Sequence, residues 1–352
     1  MHLTLRVLLF ALVAATSPLA LASVLVVLTG SRARLKGAAL AIGFVGGQTA
    51  FFVLMLVIGG SRYEHFLSGR VISNLLINNS YLVVLAVGMT FVILTGGIDL
   101  SVGAVVALSG CISAWMFTHG WSAAFTIPVC VLVGTLIGLA VGVMVHVFEI
   151  QPFIATLAAM FLARGLCYLV APESIPITDP TIVRLSQTRW GTDDGLVVTP
   201  SGIIALGVVA VAFVVLHYTR FGRTVYAIGG NEQSARLMGL PVARTKVLVY
   251  VISGTCAGLG GLLFAIFSRS GYSLTGVGME LDAIAAVVIG GTLLTGGYGF
   301  VLGSVLGVLV LGVIQTIITF EGTLSSWWTK IFIGALLLVF IILQKVLTAR
   351  RR

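Results

Sequence analysis

"VVLAVGMTFVILTGGIDLSVGAVVALSG", residues 83–110, decides the fold class. Its first half is apolar except for Thr90 and does not alternate, so it reads as helix. A strand of a membrane barrel would alternate strictly over about ten residues. The run stops at Thr95-Gly96-Gly97, and beyond Asp99 a second apolar run begins. Two membrane-grade segments with a glycine-rich interruption between them are the pattern of a broken helix.

Outward from this stretch the whole chain has the same character. Its 352 residues are 59% hydrophobic and only 9% charged, with a mean hydropathy of +1.15. Soluble domains carry about 25% charged residues, so this chain cannot cover itself with a wetted surface. Its apolar runs, roughly 20 residues each, match a hydrocarbon core of about 30 Å. The expected fold class is all-α, a polytopic transmembrane helical bundle of about 10–11 membrane segments, some short or broken. The expected spans are 7–28, 38–60, 73–95, 100–118, 122–146, 153–171, 200–218, 247–268, 282–295, 300–319 and 328–346. The stretch 282–295 is short and glycine-rich, as a re-entrant segment or half-helix would be.

The net charge of +9 does not point to nucleic acid, because the cations sit mostly at helix ends. Twelve of the twenty Lys and Arg lie on three pieces: residues 219–246, "SRARLKG" (Arg32, Arg34, Lys36) and the C-terminal tail (Lys345, Arg350, Arg351, Arg352). The positive-inside bias makes those pieces cytoplasmic. The segment 172–199, with three prolines and mixed charge, then lies outside as a partly ordered cap with a short amphipathic piece. The first run, "MHLTLRVLLFALVAATSPLALAS", imitates a secretory signal. Cleavage there would leave Arg32, Arg34 and Lys36 outside, against the charge bias. An uncleaved extra helix is expected, with a misassigned start as the alternative.

The tetrapeptide Leu94-Thr95-Gly96-Gly97 recurs as Leu294-Thr295-Gly296-Gly297, and a further glycine succeeds each at Gly103 and Gly303. Paired glycine-interrupted segments commonly mark the transport path of a membrane carrier. Gly96, Gly97, Asp99, Gly296 and Gly297 are therefore candidates for that path. Asp99 has two readings. It can cap the helix after it, its carboxylate facing the free N–H groups, or it can offer acceptors to a polyhydroxylated ligand.

The segment "RFGRTVYAIGGNEQSARLMGLPVARTK", residues 220–246, is a charged island between apolar runs. Gly229-Gly230 read as a turn, Asn231 as the cap of a short helix, Glu232 as its favourable first-turn acid and Pro241 as its stop. Ala235, Met238 and Gly239 fall on one side at helical spacing, with Arg236 on the more exposed side. About two turns of helix are marginal alone in water, so this piece needs a partner surface.

No catalytic, cofactor or metal-binding pattern is present. The five histidines are scattered at segment ends, and the four cysteines fall inside apolar runs without ligand spacing. The ionisable candidates for ion coupling, Asp99, Glu149, Arg164, Glu280 and Asp282, mostly fall at segment ends. A stand-alone ion-coupled carrier is thereby disfavoured; a structural scaffold is disfavoured by the glycine-interrupted segments and the charged loop 220–246. Small-ligand sites in such a path use polar side chains and aromatic faces. Asn74, Asn78, Asn79, Tyr81, Gln315, Trp327 and Trp328 are available, unranked by sequence.

The stretches "YAIGGNEQSARLMGLPV", "AVGMTFVILTGGIDLSVGAVVALSG", "MELDAIAAVVIGGTLLTGGYG" and "TLSSWWTK" together resemble the ribose-type sugar permeases of bacterial ABC importers. The resemblance runs from about residue 38 to 347. Within that family, "SYLVVLAVGMTF", "YLVAPESIPI" and "FEGTLSSWWTKI" are most similar to the smaller permease of the galactofuranose importer. The resemblance implies a non-catalytic subunit of the bacterial inner membrane that imports a monosaccharide, galactofuranose or else a ribose- or xylose-type sugar. It implies three protein partners: a second, different permease, a cytoplasmic ATP-binding subunit with two nucleotide domains, and a periplasmic sugar-binding protein. Gly229, Gly230, Asn231, Glu232, Ala235, Arg236, Met238 and Gly239 would form the ATPase-coupling loop. The organisation expected is an extra segment with its basic loop over 1–37, a permease domain over 38–347 and a basic tail over 348–352.

Overall fold

The computed structural model describes residues 33–192, 195–322 and 327–349. The expected helix 7–28, Arg32, residues 323–326 of "TLSSWWTK" and the arginines of the tail lie outside the described residues. The chain is a helical bundle: α1 (Ala33–Arg62), α2 (Gly69–Leu94), α3 (Val102–Thr118), α4 (Ala123–His146), α5 (Pro152–Val170), α6 (Pro180–Gln187), α7 (Pro200–Tyr218), α8 (Arg220–Gly230), α9 (Glu232–Leu237), α10 (Val242–Ser268), α11 (Met279–Ile289), α12 (Val301–Glu321) and α13 (Trp327–Ala349). Six of these, α2, α4, α5, α7, α10 and α12, are long and apolar enough to cross a membrane. Every expected span from 38–60 onward coincides with a helix. The short one does too: α11 has 11 residues, about 16 Å of rise, half a bilayer core.

Helix starts reflect local chemistry. Proline stands in the first turn of α5, α6 and α7, where a missing N–H costs nothing. Thr199 Oγ1 accepts from Gly202 N at the start of α7, and Asp179 Oδ1 accepts from Thr181 N and Ile182 N at the start of α6. The described residues of 172–199 form a folded cap. It contains α6, a ladder β1 (Ile175–Pro176) antiparallel to β4 (Ser270–Gly271), and a second ladder β2 (Trp190–Gly191) antiparallel to β3 (Val197–Val198).

Burial sorts the spans. α2 and α10 are largely enclosed, whereas α4, α5 and α7 are mostly open to the surroundings. The outer faces of those three carry Phe125, Leu132, Leu136, Phe161, Leu169 and Val211, all exposed and apolar, as a lipid-facing surface requires. The inner seam between α4 and α10 is built on small residues. A Cβ added at Gly134 would stand 2.2 Å from Gly254 O, and one at Gly138 would stand 2.3 Å from Tyr250 O. Backbones this close gain dispersion contacts that apolar side chains cannot gain over lipid.

Candidate functional site

The two Leu-Thr-Gly-Gly copies meet in space. Gly297 N donates to Leu94 O at 2.9 Å across the pair. Gly96, just past the end of α2, and Gly296, in the loop after α11, both take positive φ, 78° and 82°, a backbone conformation that glycine adopts without strain. A third segment closes the contact. A Cβ added at Gly229 would stand 1.9 Å from Leu94 O and 2.2 Å from Gly297 N. Tyr226 Oη donates to Gly299 O at 2.7 Å beside it. Three backbones, from α2, from the segment after α11 and from α8, thus touch with no side chain between them.

This arrangement corrects one expectation. Gly229 and Gly230 do not form a turn; they are the last residues of the 11-residue helix α8. Phe221, Val225 and Ile228 recur at helical spacing, and Val225 and Ile228 are buried. That stripe was the available signal. The two glycines have different surroundings, since nothing lies within 4 Å of a Cβ added at Gly230.

Asp99 is 1% exposed. Its Oδ1 accepts from Ser101 N at 2.9 Å and Ser101 Oγ at 2.6 Å, and its Oδ2 accepts from Ser253 Oγ on α10 at 2.7 Å. Ser101, not Asp99, occupies the cap position of α3. The carboxylate is a tether between the start of α3 and the middle of α10. All its observed bonds are to serines, so neither its sequence neighbours nor its spacing could have named Ser253.

Directly after α8, Asn231 caps α9, its Oδ1 accepting from Ser234 N at 2.7 Å. Glu232 receives both Arg236 and Lys246 at 2.7 Å. Partial burial pushes the Glu232 carboxyl up, but the hydrogen bonds from Lys246 and Arg236 outweigh it and hold it below the usual carboxylate range. The expected docking stripe changes. Ala235 is fully buried against Ile228 and Val242, so it anchors α9 inward. Because α9 ends at Leu237, Met238 and Gly239 leave the helical register. Leu237 and Met238 are 84% and 67% exposed. Gly239 has φ 74° and open space around it, so a side chain there is strained by backbone conformation and not by crowding. Beside α9 lies a basic groove of about 410 Å³ lined by His146, Arg236, Leu240 and Arg244.

At the other end of α2 and α12 are two adjoining cavities of about 280 and 290 Å³. Asn74, Asn78, Asn79, Tyr81, Gln315 and Trp327 line them, while Trp328 packs beside Phe332 instead. Of the other ionisable candidates, Asp282 pairs with Lys330 at 2.7 Å. Arg164, within α5, donates to Ser273 O and Thr275 O at 2.6 and 2.7 Å. Glu149 stands just before α5, and Glu280 lies in the first turn of α11. Among the described residues no group of three or more His, Cys, Asp and Glu is arranged to hold a metal.

A bundle of apolar spans with an outer lipid-facing surface, one half-length helix and two mutually bonded breaks defines a multi-pass helical membrane protein. The chain belongs to the family described as branched-chain amino acid transport system / permease component, whose profile matches residues 71–341. It is 49% identical over 298 residues to the inner membrane ABC transporter permease protein YjfF of Escherichia coli (strain K12), covering 84% of this chain and 90% of that one. It is 42% identical over 305 residues to the fructose import permease protein FruG of Bifidobacterium longum (strain NCC 2705), covering 85% and 89%. It is 38% identical over 313 residues to the ribose import permease protein RbsC of Haemophilus influenzae, covering 88% and 96%. No solved structure matches it. The apolar spans together with these relatives place the chain in the inner membrane as a multi-pass protein.

Proposed function

We propose that this chain is the membrane-spanning permease subunit of an ATP-driven importer for a monosaccharide. Galactofuranose is the substrate its sequence resemblance favours, and the ribose and fructose permeases among its relatives support a sugar of that size. A second permease completes the path, a periplasmic protein delivers the sugar, and an ATP-binding subunit docks on the cytoplasmic segment 219–246. The chain itself hydrolyses nothing. The observation that carries this reading is the contact of Gly229 with Leu94 and Gly297. A push on α8 and α9 from a docked ATPase acts directly on both helix breaks, without flexible side chains to absorb it. Leu237 and Met238 are the exposed apolar anchors such a docking needs.

The test is uptake of labelled galactofuranose, ribose, xylose and fructose by cells carrying the whole importer, with capture of the ATP-binding subunit on the tagged permease. The expected result is ATP-dependent uptake of one sugar, with Leu237→Asp losing both capture and uptake. Uptake that survives ATP depletion and stops when the ion gradient collapses would instead identify an ion-coupled carrier.

A further inference from the structure

The amides of Asn74, Asn78 and Gln315 are unusual for their place in the fold. They sit on α2 and α12, two of the spans long and apolar enough to cross a membrane. Asn78 and Gln315 are exposed and Asn74 is partly so. None of the three side-chain amides forms a hydrogen bond among the described residues. An unpaired amide facing hydrocarbon costs several kcal/mol, and the lipid-facing surfaces of α4, α5 and α7 carry nothing comparable. This face of the molecule therefore meets something polar.

The adjoining cavities show what. They share Asn79, Tyr81 and Gln315, so they form one chamber in two lobes. Tyr81 stands between the lobes, its ring held edge-on against Phe264 at 4.9 Å. One lobe adds Thr316 and Thr319, and the other adds Trp327 and the Asp282–Lys330 pair. Amides and hydroxyls both donate and accept, as each hydroxyl of a sugar does, and an indole face suits the apolar side of a sugar ring. A branched-chain amino acid would need a free cation for its carboxylate, a free carboxylate for its ammonium and an apolar pocket. Here the one ion pair is closed on itself, with Lys330 Nζ at 2.9 and 2.7 Å from the two Asp282 oxygens.

We infer that this chamber is a station on the translocation path that binds neutral polyhydroxylated ligands, with Asn78 and Gln315 as its principal contacts. The inference rests on the sugar-permease reading and names where in this chain the sugar is held. α2 and α12 also carry the chamber to the glycine junction, because the chamber lines their 71–82 and 311–320 stretches and the junction lies at or just beyond their other ends, at Leu94 and Gly297. Occupancy of the chamber and the state of the breaks are thus set on the same two helices.

The experiment uses Asn78→Cys and Gln315→Cys in the assembled importer in native membranes, probed with a charged methanethiosulfonate reagent. The native cysteines Cys111, Cys130, Cys167 and Cys256 are buried, which keeps the background low. Both introduced thiols should be modified, and galactofuranose, ribose or fructose, tested singly, should slow modification where leucine does not. In separate variants, Asn78→Leu and Gln315→Leu should each weaken that protection about three- to tenfold, the loss of one net hydrogen bond. No modification at either thiol would mean a lipid-facing surface and would overturn the proposal. Modification with protection by leucine alone, or by no solute, would overturn it too, the former in favour of a zwitterion site and the latter of a bare water channel. The labelling needs no ATP hydrolysis, so protection without ATP-driven uptake would sink the importer reading and leave the chamber standing.

Discussion

At Leu94–Gly97 the chain leaves α2, a 26-residue helix and the most enclosed of the candidate spans; at Leu294–Gly297 it has just left α11, an 11-residue helix too short to cross. The tetrapeptide is the same, and Gly96 and Gly296 take the same backbone conformation. The helices downstream of the two breaks differ. After the first break, α3 turns away from α2 and packs on α10, held by the Asp99 carboxylate between Ser101 and Ser253. After the second, α12 folds straight back along α11. A Cβ added at Gly307 would stand 1.9 Å from Ala286 O, and one at Gly303 would stand 2.2 Å from Gly290 O. One break is a hinge fixed by a polar tether; the other is a hairpin fixed by backbone contact. Local sequence sets where a helix stops, and distant partners set what the stop is used for.

The hairpin should be the more sensitive to added volume. Gly307→Ala forces α11 and α12 apart at a backbone carbonyl, and the expected cost is about 3 kcal/mol, at the upper end of overpacking. Thermal unfolding of the purified chain reads it; a midpoint equal to that of the parent protein would show that the hairpin is loosely packed. The hinge should instead answer to chemistry. Asp99→Ala leaves the Ser101 and Ser253 donors buried without their acceptor, costing about 1–3 kcal/mol. Asp99→Asn keeps one oxygen for Ser101 and offers an amide to the Ser253 hydroxyl, so it should cost less than about 1 kcal/mol. If Asn and Ala are equally damaging, charge and not hydrogen bonding holds the hinge, and the contrast between the two breaks fails.

The smallest effects belong to the charged surface of the loop. Arg236→Ala removes an exposed i,i+4 pair with Glu232 and should change stability by less than about 0.5 kcal/mol. Glu232 has its folded pKa held down, so its contribution is full above the ordinary carboxylate value of about 4.3. It is lost as pH falls through the lower folded value. Hydrogen exchange across 231–246 should therefore be the same from pH 7 to 5, after correction for intrinsic rates, and rise only below. Loosening between pH 7 and 6 would assign the cluster to a different group.

Much of the fold is legible in the residues alone. Long apolar runs give the spans, and the flanking glycines, Gly278 and Gly290, give the half-length α11. A repeated tetrapeptide gives the paired breaks. Asn231 is readable as a cap because capping is a property of two or three neighbouring residues. The helix α8 is hidden because its charge and glycines mask the Phe221–Val225–Ile228 stripe. Ala235 falls on the wrong side in a reading by spacing, because spacing tells which residues share a face and not which way the face points. The partners Ser253 and Gly229 are separated in sequence from Asp99 and Leu94 by more than a hundred residues, and no local pattern encodes such contacts.

The central claim is that the loop segment reaches both breaks through Gly229. Hydrogen exchange of Gly229→Ala and Gly230→Ala, read at peptides covering 92–101 and 290–299, tests it most directly. An alanine Cβ at 229 would press on Leu94 O and Gly297 N, whereas one at 230 meets nothing within 4 Å. Gly229→Ala should raise exchange in both peptides, although neither contains the substitution, and Gly230→Ala should leave both at parent rates. Equal behaviour of the two variants, or a change confined to the loop itself, would contradict the claim.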